Sequence, residues 1–443
     1  MPKIITNRWL IVVMGVLLQL CLGTVYAWSY FQKPLVAAYG CSNSQVAWGF
    51  SLAICFVGLA AAWGGLNLER IGPRRLALTG GFLYALGYLI TGLAIAGHSL
   101  LWLYLGFGVV GGIGLGLGYV APIATVAKWF PDRKGLVTGM VVMGFGLGAL
   151  IMAKVIAPVL MAHTGQNLAQ VFFWICGIVL VVALPAAAGL QNVPEAKTDQ
   201  QAGSKPTISA RFALKSSAFG LMWMLFFINI TAGIMFIGFQ SPMLQDLMHA
   251  KNPELTAAVL SAAGATLIAI SSLFNGLGRL FWGAISDRLG QIMVFRLILI
   301  SQIFVFAALV VVREPWLFGV LVCYVLLCYG GGFGVMPSFT GVMFGQSVMP
   351  TVYGTILTAW SAAGIVGPQL AAFIQDHYAD QAGRLTFSVA ALLLLVGAAL
   401  SLLLHPRRVE NEFKDQIYLF RRFPKPGSFW PAPRGIADRR DCG

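Results

Sequence analysis

The chain has 443 residues, 58% of them hydrophobic and only 10% charged, with 29 basic and 15 acidic side chains. Soluble globular domains carry about 25% charged residues, and the mean hydropathy here is +0.81. The balance excludes a disordered chain, a soluble enzyme and a secreted disulfide scaffold, and fits an integral membrane protein with little chain left for a soluble domain.

Apolar runs of spanning length recur between polar breaks, and they predict an all-α membrane protein with twelve transmembrane helices. The first run starts at Trp9 and is followed by no A-x-A-like site, so it reads as a retained span and not as a cleaved signal peptide. Helix 1 is expected over Trp9–Tyr30, helix 2 over Val46–Leu66, helix 3 over Leu76–Ala96 and helix 4 over Leu100–Val126. Helix 5 follows at Leu136–Met161 and helix 6 at Gln170–Leu190. A polar segment rich in Lys, Pro, Ser and Gln, Gln191–Ser217, then interrupts the pattern. Helix 7 is expected over Phe219–Ser241, helix 8 over Leu255–Trp282, helix 9 over Ile292–Val312 and helix 10 over Trp316–Phe344. Helix 11 covers Val352–Gln375 and helix 12 Thr386–Leu404, before a polar tail. The organisation is therefore a six-helix half (1–190), a linker (191–217), a second six-helix half (218–404) and a tail (405–443).

The basic residues orient the chain. With both termini inside, fourteen basic residues of the start, loops and linker and nine of the tail fall on the cytoplasmic side, 23 of the 29. Lys33, Lys251, Arg313 and Arg384 fall opposite, and Lys154 and Arg279 fall inside spans. The net charge of +14 is thus an orientation signal and gives no reason to expect nucleic acid. The expected location is a multi-pass cell membrane, of the bacterial inner membrane type, with cytoplasmic termini.

Seven cysteines include no C-x-x-C pair, and the five histidines, His98, His163, His249, His377 and His405, form no metal spacing. The run Gly111–Gly118 contains a nucleotide-like fingerprint, but it lies inside an apolar run with no strand before it and reads as close helix packing. No cofactor is expected.

Two stretches carry function. Gly65–Arg75 reads G-L-N-L-E-R-I-G-P-R-R, and Gly283–Gln291 reads G-A-I-S-D-R-L-G-Q. Glycine, acid, arginine and glycine recur 218 residues apart, an internal repeat of the kind that builds transporters from two similar halves. Glu69, Arg70, Asp287 and Arg288 are candidate gating residues: the acid can accept from helix N-termini, and the arginine can hold a carbonyl or carboxylate across a gate. Helix 8, which precedes the second copy of this motif, carries a candidate of its own. An arginine inside an apolar span costs about 2.5–3.5 kcal/mol near the bilayer centre, so Arg279 should face a wet cavity or a partner. All 15 acids are expected in loops, linker or tail, which leaves an anionic substrate as the natural partner; snorkelling toward the loop is the alternative. Asn275 lies one turn away on the same face. Lys154, the other buried cation, either joins the pathway or snorkels outward.

The doubled loop motif resembles the major facilitator superfamily over nearly all of the chain apart from the tail, with Glu69 and Pro73 as mild departures. Finer pieces are similar to the oxalate:formate antiporter family and related monocarboxylate transporters: N-R-W at Asn7–Trp9, L-G-T-V-Y-A-W-S-Y-F at Leu22–Phe31, K-W-F-P-D-R-K-G-L at Lys128–Leu136, and N-G-L-G-R-L-F-W-G at Asn275–Gly283. The resemblance implies that Arg279 binds a substrate carboxylate. It also implies that Tyr26, Tyr119 and Tyr329 lie on cavity-lining helices, where each could hydrogen-bond that carboxylate. The oxalate carrier has a lysine in helix 11; aligned on Tyr353 and Gly354, its place is taken here by Trp360, and that absence argues against oxalate itself.

The expectation is therefore a secondary transporter of a small carboxylate, of the lactate, pyruvate or formate type, working by alternating access as a monomer in the lipid bilayer. Protons or a counter-anion are its expected coupling partners. An oxalate/formate-type dicarboxylate exchanger and a facilitator for another solute, such as a drug exporter, are the alternatives. A membrane-embedded enzyme or sensor is more remote, because no clustered catalytic set and no output domain is seen.

Overall fold

A backbone in hydrocarbon must satisfy its own N–H and C=O groups, and a helix does so within one segment. The computed structural model follows that rule. It describes residues 8–130, 134–191, 209–345, 348–378 and 381–405, apart from the side chains at 69, 134–136 and 350. Among these residues there are twelve helices long and apolar enough to span a membrane, and no strand. They are helix 1 (Arg8–Tyr39), helix 2 (Asn43–Ile71), helix 3 (Pro73–Ala96), helix 4 (Leu100–Trp129), helix 5 (Val137–His163) and helix 6 (Leu168–Ala188). Helices 7 to 12 are Ser217–Lys251, Ala257–Leu289, Gln291–Val311, Pro315–Phe344, Thr351–His377 and Ala382–Leu402. A short helix, Ala210–Lys215, precedes helix 7. The even number of spans puts the start of helix 1 and the end of helix 12 on one face, called the near face below; the opposite face is the far face.

Several helices outrun the apolar stretches that mark them. Helix 1 continues nine residues past Tyr30, helix 7 ten past Ser241 and helix 8 seven past Trp282. Polarity marks where hydrocarbon ends; backbone hydrogen bonding continues until a breaker arrives. The repeated Gly–acid–Arg–Gly motif therefore occupies the last turns of helices 2 and 8, not a loop, and the helices stop at its final glycines. Gly72 (φ 88°, ψ 146°) and Gly290 (φ 84°, ψ 145°) share one positive-φ conformation that side-chain-bearing residues rarely adopt. The expectation that every acid lies outside the helices is corrected for the same reason: Glu69, Asp246, Asp287 and Asp376 sit on helical ends. The tail and segment 192–208 lie outside the described residues.

Helix starts carry recognisable caps. Ser42 accepts from the Gln45 N–H while the Gln45 side chain accepts from the Ser42 N–H, a full capping box before helix 2. Asn167, Ser216 and Thr256 cap helices 6, 7 and 8. Arg296, near the start of helix 9, donates to the carbonyls of Ser401 and Leu404 at the end of helix 12.

Small residues then set how closely the helices approach. A β-carbon on Gly330 or Gly334 of helix 10 would overlap the carbonyl oxygens of Asn275 and Arg279 on helix 8, and one on Gly278 would overlap that of Leu327. Backbone meets backbone at the position of the buried arginine. The principal contacts between the two halves are made by helix 2 on helix 11 and helix 5 on helix 8.

Candidate functional site

Arg279 lies in the centre of this packing, 3% exposed. Its guanidinium carbon sits 5.0 Å from the ring centre of Phe333 on helix 10 and 5.8 Å from that of Phe145 on helix 5. These faces offer cation–π attraction. They provide no hydrogen-bond acceptors, and the Arg279 Nε and Nη1 atoms have no partner in the protein.

Breaks in helix regularity help to present the surrounding side chains. Tyr26 lies in a 3-10 stretch, Thr24–Ala27, within helix 1. Its hydroxyl meets that of Tyr329 at 2.7 Å, a bond joining the two halves, and its ring packs edge-on against Phe145. Trp360 follows a break at Leu357 in helix 11. Its ring touches Phe333 at 4.9 Å, Tyr119 at 5.6 Å and Phe145 at 6.1 Å between ring centres. Trp360 and Arg279 thus share two phenyl neighbours. The indole Nε1 of Trp360 approaches Tyr329 without completing a well-aligned hydrogen bond. Tyr119, on helix 4 one turn before Pro122, is fully buried, and its hydroxyl lies near Tyr353 without good hydrogen-bond geometry.

Arg279, Tyr26, Tyr119, Tyr329 and Trp360 therefore converge, drawn from helices 1, 4, 8, 10 and 11, while Asn275, one turn before Arg279, has its Oδ1 against helix 10 at Gly330. Asn275 is 1% exposed, and its Oδ1 has no partner. The chemical character is one cation, several buried hydroxyl and N–H donors, and aromatic walls, an arrangement that suits a small anion with an apolar body.

Lys154 does not join them, and it is exposed, not buried as the sequence suggested. It lies in a π-helical stretch, Met152–Ile156, four residues before Pro158, whose missing N–H leaves the Lys154 carbonyl without its usual partner. Lys154 Nζ donates to Thr266 Oγ1 at 2.6 Å, and Thr266 is 13 residues before Arg279 on helix 8, roughly 20 Å along the axis. Arg70, Asp287 and Arg288 are exposed at the near face; the Glu69 side chain lies outside the described set. Sequence reasoning missed Phe145, Phe333 and Tyr353. A phenylalanine in an apolar span carries no signal of its own, although Phe333 stands one turn from Tyr329 and Phe145 is flanked by Gly144 and Gly146.

Comparison with known proteins places this arrangement. The family description Major Facilitator Superfamily matches residues 9–368. The chain belongs to that superfamily. It is a multi-pass membrane transporter built as two six-helix halves, and both the family and the relatives are transporters, not enzymes. Similar proteins include the uncharacterized MFS-type transporter YhjX of Escherichia coli, 29% identical over 81% of this chain and 86% of that one. The oxalate:formate antiporter of Oxalobacter formigenes is 26% identical over 90% and 92%, and the apicoplast pyruvate carrier 1 of Toxoplasma gondii 28% identical over 89% and 88%. A solved bacterial homolog of the human lysosomal transporter Spinster superposes with a TM-score of 0.69 at 14% identity, covering 93% of this chain and 99% of that one. At that identity the likeness speaks for the fold alone.

Proposed function

We propose that this transporter carries a small organic anion, a monocarboxylate of the lactate, pyruvate or formate type, with the carboxylate held by Arg279. The observation that carries the reading is the buried guanidinium with two unpartnered nitrogens between aromatic faces. A carboxylate supplies both the charge and the paired acceptors that a guanidinium takes in fork geometry. Asn275, Tyr26, Tyr119, Tyr329 and Trp360 orient it. Similarity to an oxalate:formate antiporter, a pyruvate carrier and human monocarboxylate transporter 11 supports the same substrate class.

The near face is the cytoplasmic face in this reading, by the distribution of basic residues, in a bacterial inner membrane. Residues 1–190 and 218–404 rock as two bodies around the site, joined by the linker, in a carrier that works as a monomer. Glu69, Arg70, Asp287 and Arg288 act at the cytoplasmic mouth.

The test is uptake of labelled lactate, pyruvate and formate into proteoliposomes, competed by unlabelled mono- and dicarboxylates. Monocarboxylates should compete best, because a dianion at a single guanidinium leaves its second charge poorly compensated. A second reading, a dicarboxylate exchanger, is favoured by the oxalate:formate antiporter likeness; oxalate competing best would establish it in place of the first. Repeating uptake with a pH gradient, and then with counter-anion trapped inside, separates proton symport from exchange.

A further inference from the structure

The polar contacts that tie the two halves together at the far face belong to residues outside the binding site. The carboxylate of Asp376, in the last turn of helix 11, reaches the start of helix 2. Its Oδ1 accepts from the backbone N–H and side-chain amide of Asn43 at 3.1 and 3.2 Å. Its Oδ2 accepts from the backbone N–H and hydroxyl of Ser44 at 2.9 and 2.6 Å. The capping box of Ser42 and Gln45 leaves these first-turn N–H groups for another acceptor. That acceptor is a negative charge from the opposite half, placed where the helix dipole favours it.

Further bonds join the halves on the same side, among them one from Gln369 Nε2 to the Ser44 carbonyl at 3.4 Å. Lys33 of helix 1 meets Asp246 of helix 7 at 2.6 Å, and Lys154 of helix 5 donates to Thr266 of helix 8. Gln375 donates to Asp246 Oδ2 at 3.1 Å, linking the Lys33 pair to the residue beside Asp376. Toward the near face, contacts between the halves include apolar ones, Gly139 under Leu280 and Gly354 beside Ala62.

We propose that Asp376 is the latch of the far-face gate, a C-terminal-half carboxylate that caps an N-terminal-half helix and must release it whenever the carrier opens to that side. Lys33–Asp246 and Lys154–Thr266 are its weaker companions. Exposed pairs such as Lys33–Asp246 contribute little by themselves, whereas Asp376 makes four hydrogen bonds that open together. Lys154 thereby takes a role in gating instead of substrate binding. The proposal is independent of the substrate, and its test needs none.

Hydrogen–deuterium exchange of the purified full chain reads the opening. Asp376→Asn turns one acceptor atom into a donor that faces donors. Its initial exchange should rise about threefold in far-face segments remote from residue 376, within 24–39 and 257–268, and fall in near-face segments 62–71 and 351–358, as the resting population shifts toward far-side opening. Ser44→Ala, which removes only the hydroxyl donor, should give the same two-faced pattern more weakly, and it carries the test if Asp376→Asn cannot be recovered folded. Glu314→Gln is the control. It breaks a 2.5 Å pair with Lys251 that lies within one half, so its change should stay local. The proposal is overturned if the Asp376 and Ser44 variants alter only the ends of helices 2 and 11, or if Glu314→Gln produces the two-faced pattern as well.

Discussion

The two halves repeat one backbone and carry different chemistry. Gly72 and Gly290 end helices 2 and 8 in the same conformation, 218 residues apart. At the same offset, Gly112 and Gly116 of helix 4 pack on the backbone of helix 2 at Ala53 and Val57, and Gly330 and Gly334 of helix 10 pack on helix 8 at Asn275 and Arg279. Helix 10 therefore sits one turn further along its partner. The residues of helix 2 at the positions of Asn275 and Arg279 are Val57 and Ala61, both fully buried. What recurs is close backbone contact, which any sequence with small residues at those points can make. What differs is the charged centre, the position at which we propose that the substrate is held.

The largest effect that follows is on Arg279. Arg279→Gln removes the charge, and Arg279→Lys keeps it without the planar fork. A charge-assisted hydrogen bond is worth about 1.5–3 kcal/mol, and a carboxylate takes two, so transport per inserted molecule should fall by about 100-fold or more in the glutamine variant. The lysine variant should lose most of it too. Val57→Ala, at the first-half position that matches Asn275, should leave affinity within a few-fold. Wild-type uptake of the same anion by Arg279→Gln, at normal membrane levels, would remove the asymmetry as an explanation.

The glycine pairs come next. Gly116→Ala and Gly334→Ala each drive a methyl into a backbone carbonyl of the neighbouring helix, and overpacking of this kind costs about 1–3 kcal/mol. Both should lower the melting temperature in detergent by similar amounts. Only Gly334→Ala should also weaken substrate binding, because the carbonyl it displaces belongs to Arg279. Equal losses of binding in the two variants would mean that helix 2 contributes to the site as much as helix 8.

The hydroxyl pair across the halves is smaller again. Tyr26→Phe removes a 2.7 Å bond and leaves the Tyr329 hydroxyl buried with one partner fewer, at a cost of about 1–3 kcal/mol. Apparent affinity should weaken by roughly tenfold, with Tyr329→Phe similar and the double variant no worse than either alone. Additive losses would show that the two hydroxyls act on the substrate separately.

These predictions draw unequally on sequence and structure. Twelve spans, the polar break between the halves and the doubled motif were all legible, because hydrocarbon demands long apolar runs and a repeat leaves its glycines in register. Arg279 was legible because a cation in such a run needs a reason. The helix ends were not, since Asp246, Asp287 and Asp376 continue helices into water with no change of backbone pattern. Lys154 looked like Arg279 in one dimension; its exposure and its bond to Thr266 separate them. Phe145 and Phe333 line the site as ordinary apolar residues, and the Asp376 latch joins positions more than 330 residues apart. No local pattern announces such contacts.

The smallest effect tests the repeat itself. Gly72 and Gly290 have nothing within 4 Å of where a β-carbon would sit, so Gly72→Ala and Gly290→Ala introduce backbone strain without a clash. Holding alanine at such a positive φ costs roughly 1–2 kcal/mol. The two glycines share φ and ψ to within a few degrees, so the two variants should lower the melting temperature by the same amount, and neither should change substrate affinity, since both lie at the near face away from Arg279. A loss at Gly290 several times that at Gly72 would mean that the end of helix 8 is held by more than its glycine. The charged neighbours Asp287 and Arg288 would then be the first place to look, and Asp287→Asn in the Gly290→Ala background would show whether their contribution is separate.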